Sequence, residues 1–144
     1  VPTFPSYMAL FEAVQPINAT FGPLTDEQKH HMVKTAVQQR ADGQWEFKTD
    51  PKIGDAFRDG LKQTAMDMWP LWAAVTPPVL VLRGAESDLL SAATVEKMLA
   101  THHGAGRVAE ALTIADTGHA PMIMDEPTIA AVKRFLHASP WDAA

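Results

Sequence analysis

The chain has 144 residues, 47% of them hydrophobic and 20% charged, which is the composition of a folded domain and excludes a disordered polymer. Twelve Lys and Arg against 17 Asp and Glu give a net charge of −5, so bulk electrostatics argue against a nucleic-acid partner. Cysteine is absent, which excludes disulfides and thiolate metal sites, and no apolar run approaches the ~20 residues that span a bilayer. The expectation is one cytoplasmic domain with no membrane partner. The chain begins at Val1 and not at Met, which points to processing or to a start inside a longer gene product.

Two parts of different character meet near residue 74. Residues 1–74 read as helices with short breaks. Met8, Leu10, Phe11 and Val14 make a helical stripe over Pro5–Val14, which Pro16 and the Phe21-Gly22-Pro23 turn are expected to end. Thr25-Asp26-Glu27-Gln28 has the form of a capping box. The helix it opens is predicted to reach about Arg40, with Met32, Val33, Ala36 and Val37 on one face and Asp42-Gly43 as the stop. Trp45–Lys48 reads as extended. Asp50-Pro51 reads as an N-cap with proline in the first turn, leading to Ile53, Phe57 and Leu61. Ala65–Ala74 is expected to be helical and broken at Pro70.

Residues 75–144 change period. The unbroken run Val79-Leu80-Val81-Leu82 predicts a strand buried on both faces, as in a parallel sheet. Arg83–Asp88 is a loop. Ser91 caps a helix through Val95, Met98 and Leu99 that ends at His102-His103-Gly104. Ala109–Ile114 is a second strand and Ala115–Pro121 a second loop. A last helix over about Glu126–His137 turns Ile129, Val132, Phe135 and Leu136 inward. The unit is β-α-β-α, which implies two parallel strands joined by a crossover.

Ligands of open parallel sheets sit beyond the carboxyl ends of the strands. The two loops that leave those ends carry Asp88 and His119. A carboxylate beside an imidazole fixes its tautomer and stabilises the imidazolium, which is what a general base requires. The pair is expected to be joined by a hydrogen bond. The plainer readings are a turn acid for Asp88 and a loop histidine bonded to backbone for His119. His30 and His31 are adjacent on a helix and point about 100° apart, so they read as face or core-edge residues and not as metal ligands. His102 and His103 sit at a helix C-terminus, where the dipole favours imidazolium. No cofactor or metal motif is found.

Three stretches together resemble the C-terminal portion of an α/β hydrolase: Trp69-Pro70-Leu71-Trp72, Pro78 through Ser91 with its Gly84-Ala85-Glu86-Ser87-Asp88 turn, and Thr117-Gly118-His119-Ala120-Pro121. In that family the chain order is nucleophile, acid, histidine. The resemblance implies an incomplete α/β-hydrolase fold, with residues 1–74 as a helical cap segment and residues 75–144 as the last two parallel strands with their helices. It implies that Asp88 is the triad acid, with Glu86 as the competing carboxylate, and that His119 is the general base. Trp69, Trp72 and Met122 become candidates for a substrate pocket, although the tryptophans read first as packing anchors and Met122 by default as apolar filler.

The family's Gly-x-Ser-x-Gly element has no counterpart. The serines are Ser6, Ser87, Ser91 and Ser139, and none lies in that setting. The expectation is therefore a portion of a serine-type esterase, inactive alone, that acts on a small apolar ester-like substrate once a missing N-terminal half or a homodimer partner joins it. Such a partner would also cover the outer edge of Val79–Leu82, which would otherwise be an open apolar template. A non-catalytic binding domain derived from the same fold is the alternative.

Overall fold

The computed structural model describes residues 2–50, 52–55 and 66–138. The chain falls into two compact units. The first comprises residues 1–18 and 25–67, the second residues 19–24 and 68–144. Met68–Ala74, which sequence character grouped with the first part, thus groups with the second, as does the short Ala19–Leu24 segment.

In the first unit, helix α1 spans Tyr7–Asn18 and buries Leu10 and Val14. Pro16 lies inside it and does not end it. A proline leaves the carbonyl four residues earlier unbonded. Here that carbonyl belongs to exposed Glu12 and Pro16 is itself exposed, so water can serve it.

Helix α2 spans Asp26–Ala36 behind the expected capping box. The Gln28 amide donates to Thr25 Oγ1 at 3.2 Å, and the Thr25 amide donates to Gln28 Oε1 at 2.8 Å. The helix stops earlier than predicted. Val37–Gln39 forms strand β1, paired antiparallel with β2, Trp45–Phe47, in the register Val37↔Phe47. The apolar stripe suited either state, and the hairpin wins because Gly43, at φ 82°, closes a short turn. The Arg40 amide donates to the Gln44 carbonyl at 2.8 Å across it. Phe4 adds an antiparallel bridge to Trp45. The core is Leu10, Val14, Val33 and Val37, with Phe4, Tyr7, Phe11, Trp45 and Phe47 packed around it. Asp50 Oδ1 accepts from the Lys52 amide at 2.9 Å. Pro51, Phe57, Leu61 and Ala65 lie outside the described residues.

In the second unit, Ala19–Phe21 is one 3₁₀ turn and α3 is Trp69–Ala74. Pro70 opens α3 and does not break it, since a first-turn proline loses no helical hydrogen bond. Strand β3, Val79–Gly84, pairs parallel with β4, Ala109–Ile114, in the register Val79↔Ala109 to Gly84↔Ile114. Between them α4, Ala92–Gly104, starts at Ser91, whose Oγ accepts from the Thr94 amide at 3.0 Å. Helix α5 spans Glu126–Ala138, and both α4 and α5 pack on β4.

Two expectations of burial are corrected. In β3 only Val81 and Gly84 are buried; Val79, Leu80, Leu82 and Arg83 are half-buried, because among the described residues the sheet has two strands and β3 has an open edge. In α5 the buried positions are Thr128, Ala131 and Phe135, and Leu136 is 50% exposed. Ile129 and Val132 are half-buried. Among the described residues no helix is long and apolar enough to cross a membrane.

Candidate active site

Parallel pairing aligns the carboxyl ends of β3 and β4, and backbone bonds carry the alignment into both loops. The Ala85 amide donates to Ile114 O at 2.8 Å and the Glu86 amide to Thr117 O at 2.9 Å. Arg83 shapes the Asp88 loop from within: its Nε donates to Leu90 O at 2.7 Å and its Nη2 to Ala85 O at 3.0 Å. The Ser87 amide returns to Gly84 O at 3.1 Å, while Ser87 Oγ accepts from the Leu90 amide at 3.0 Å. Asp88 is left at the exposed tip of this turn.

The His119 loop is held more tightly. Asp116 turns the chain with φ 51°, in the left-handed region that Asp tolerates better than most residues. Thr117 is 1% exposed, and its hydroxyl donates to Ala115 O at 2.8 Å. The Gly118 amide donates to Thr20 O at 2.7 Å. Two glycines permit this closeness. A Cβ at Gly84 would overlap the carbonyl oxygens of Gly118 and Thr117, and one at Gly22 would meet Thr117 Oγ1 at 2.5 Å. Sequence reasoning missed Thr20, Gly22 and Gly84 as supports of the loop. The Phe-Gly-Pro turn was visible, but nothing in the sequence said what it touches.

The two loops therefore meet as expected at one rim, while the side chains do not. Asp88 and His119 are both exposed. Among the described residues neither makes a side-chain hydrogen bond or ion pair, and none joins the two.

Met122 lines a cleft of about 330 Å³ with Phe21, Leu24, Leu112, Ile114 and Asp116, at the carboxyl end of β4. Asp125 and Thr128 also line it. Asp125 starts α5, with Oδ1 accepting from the Thr128 amide at 2.8 Å. Burial pushes the Asp125 carboxyl up, but the Thr128 hydroxyl and amide together bring it below its ordinary value. His119 and Asp88 are not among the residues lining this cleft.

Trp69 and Trp72 stand elsewhere, anchoring α3 to α4. Lys97 Nζ sits 3.8 Å from the Trp69 ring centroid. Trp72 Nε1 donates to Met98 O at 3.1 Å, and its ring lies 4.6 Å from that of His102. His102 is fully buried, and among the described residues neither ring nitrogen has a partner. His102, at the helix C-terminus as expected, is thus enclosed. His103 instead bonds outward from α4, its Nε2 donating to Ala109 O at 2.9 Å.

The chain matches no protein-family model. It is 33% identical over 130 residues to the 3-hydroxybutyrate-oligomer hydrolase of Cupriavidus necator, a match covering 85% of this chain and 43% of that protein. An α/β hydrolase from Novosphingobium aromaticivorans superimposes with a TM-score of 0.74 at 32% identity, over 94% of this chain and 47% of the other. Two more distant structures share the fold. One is a Rickettsia typhi protein described as a hydrolase, with TM-score 0.77, 24% identity and coverage of 94% and 44%. The other is E-2-(acetamidomethylene)succinate hydrolase, with TM-score 0.73, 20% identity and coverage of 95% and 47%. The chain thus spans less than half the length of each protein it matches. Its helices and two parallel strands are those of an incomplete α/β-hydrolase fold, similar to part of each of these hydrolases.

Proposed function

We propose that this chain supplies the acid and the base of a serine-type ester hydrolase whose nucleophile lies outside it. The observation that carries the reading is the shared rim: the Asp88 loop and the His119 loop are tied together by the Glu86–Thr117 backbone bond at the carboxyl ends of paired parallel strands. The substrate class is a small, largely apolar ester. The named substrate of the Cupriavidus relative agrees with this, since a hydroxy acid joined to itself is an ester.

In this reading His119 takes the proton of a serine hydroxyl as that oxygen attacks the ester carbonyl. It then gives the proton to the leaving alkoxide, leaving an acyl-enzyme and an alcohol. A water molecule next loses its proton to His119 and attacks the acyl carbon. The carboxylic acid departs and the serine recovers its proton. Asp88 fixes the imidazole tautomer. Because Asp88 and His119 are unpaired among the described residues, the reading requires that docking of the nucleophile-bearing part draws them together; catalytic hydrogen bonds tighten in this way on assembly. The same part would pair with the open edge of β3.

The test is co-production of this chain with the polypeptide encoded upstream of Val1, assayed on p-nitrophenyl butyrate. Turnover that His119→Ala abolishes and Asp88→Asn lowers at least about 100-fold supports the reading. Turnover indifferent to His119→Ala refutes it. The unpaired side chains favour one competing reading, a non-catalytic binding domain, and a reconstituted pair with no turnover at all supports that one.

A further inference from the structure

We propose that a cleft in the first unit, formed by Tyr7, His30, Lys34 and Trp45, binds a small planar anion of the aromatic carboxylate class. The cleft has a volume of about 260 Å³, enough for one substituted ring. Three of its four lining residues carry aromatic rings. The His30 ring lies flat on Phe11, with centroids 3.9 Å apart and planes 5° from parallel. Tyr7 meets Trp45 edge-on at 5.5 Å. Trp45 is fixed from behind, since its backbone exchanges two hydrogen bonds with Phe4, at 2.8 and 2.9 Å. A preformed aromatic slot of this kind takes a flat ligand at little ordering cost.

The polar groups select the sign of charge. Tyr7 Oη is 2.9 Å from His30 Nδ1 and donates to His30 O at 3.3 Å. Burial raises the Tyr7 phenol above its ordinary value, so it stays a neutral hydroxyl. His30 Nε2, Trp45 Nε1 and Lys34 Nζ make no bond among the described residues. Lys34 lies four residues after His30, hence one turn further along the same helix face. Two nearby acids are engaged elsewhere, since Glu46 holds Gln38 and Arg40 and Asp26 holds Lys29, while Glu12 and Glu27 are exposed and do not line the cleft. The cleft therefore presents hydrogen-bond donors and a cation but no carboxylate, on a chain whose net charge is −5. A carboxylate on a flat ring answers both the walls and the donors.

The experiment is an NMR titration of the full chain with benzoate, following the His30 ring protons, the Trp45 indole N–H and the Lys34 amide. Acetate and benzyl alcohol serve as controls that lack the ring or the charge. Saturable shifts at these three residues are expected, with both controls at least about fivefold weaker. Lys34→Gln should weaken benzoate by a few-fold and Lys34→Arg should restore it. Lys34 is exposed, so these variants keep the fold, which the unchanged remainder of the spectrum verifies. The proposal is overturned by non-saturating shifts, by equal binding of benzyl alcohol, or by shifts confined to the Met122 cleft. The outcome does not depend on the esterase reading.

Discussion

Replacing Gly84 by alanine isolates the contact that seats the His119 loop. The added methyl group would overlap the carbonyl oxygens of both Gly118 and Thr117 and stand 2.8 Å from the Thr117 carbonyl carbon. All three obstacles are backbone, so no side chain can rotate away. Forcing one methyl group into such a site costs about 1–3 kcal/mol. Pushing the loop back also weakens the Glu86–Thr117 hydrogen bond, at 2.9 Å, by about 0.5–1.5 kcal/mol. The expected total is about 2–4 kcal/mol, a large share of the stability of a small domain. Urea unfolding measures the loss, and amide hydrogen exchange at Glu86 and Gly118 locates it. Gly104→Ala is the matched control, because a Cβ there meets nothing within 4 Å at the end of α4. It should be neutral or stabilise by up to about 1 kcal/mol. A Gly84→Ala chain within about 0.5 kcal/mol of the parent, with unaltered exchange at Glu86, would refute the close-approach argument.

Three further outcomes follow from the same geometry. Thr25→Ala removes one half of the capping box and should cost about 1 kcal/mol, read by thermal melting in the far-ultraviolet; an unchanged melting temperature would show that tertiary packing alone holds α2. His102→Leu should raise stability by about 1 kcal/mol in urea, because it removes two enclosed nitrogens that have no partner among the described residues, whereas His102→Gln should not; equal effects would indicate a hidden partner. Asp125 is held below its ordinary value in the folded chain, so its contribution is complete above the unfolded carboxyl pKa of about 4 and is lost as the pH falls through the lower folded value. Asp125→Asn should flatten that part of an acid titration, and an unaltered profile would exclude Asp125 as the cause.

What the residues disclosed in advance was chiefly local. Thr25 and Ser91 cap the helices assigned to them, and the aliphatic run at Val79 and the Ala109–Ile114 segment are parallel strands. Such features depend on neighbours within a few positions. Val37–Gln39 was misread as helix because the stripe Met32, Val33, Ala36, Val37 satisfies a helical period and its pairing with Trp45–Phe47 is settled by tertiary contact. Leu136 was expected inside because it is apolar, yet α5 turns Thr128 and Ala131 inward in preference. Of the candidate site, the meeting of two loops could be argued from parallel topology. The seating of Thr117 and Gly118 against Thr20, Gly22 and Gly84 could not, since it joins segments from opposite ends of the chain through backbone atoms that leave no sequence pattern.

Residues 19–24 belong to the second unit while the segments on either side of them belong to the first. No single cut can therefore separate the two units. A chain severed after Asp67 would retain Thr20 without the amide it accepts from, and the remainder would lose the acceptor of the Gly118 amide. Excising the C-terminal half for study would leave the Gly118 amide unpaired beside His119, and the bond between Thr20 and Gly118 cannot close until residue 118 is present.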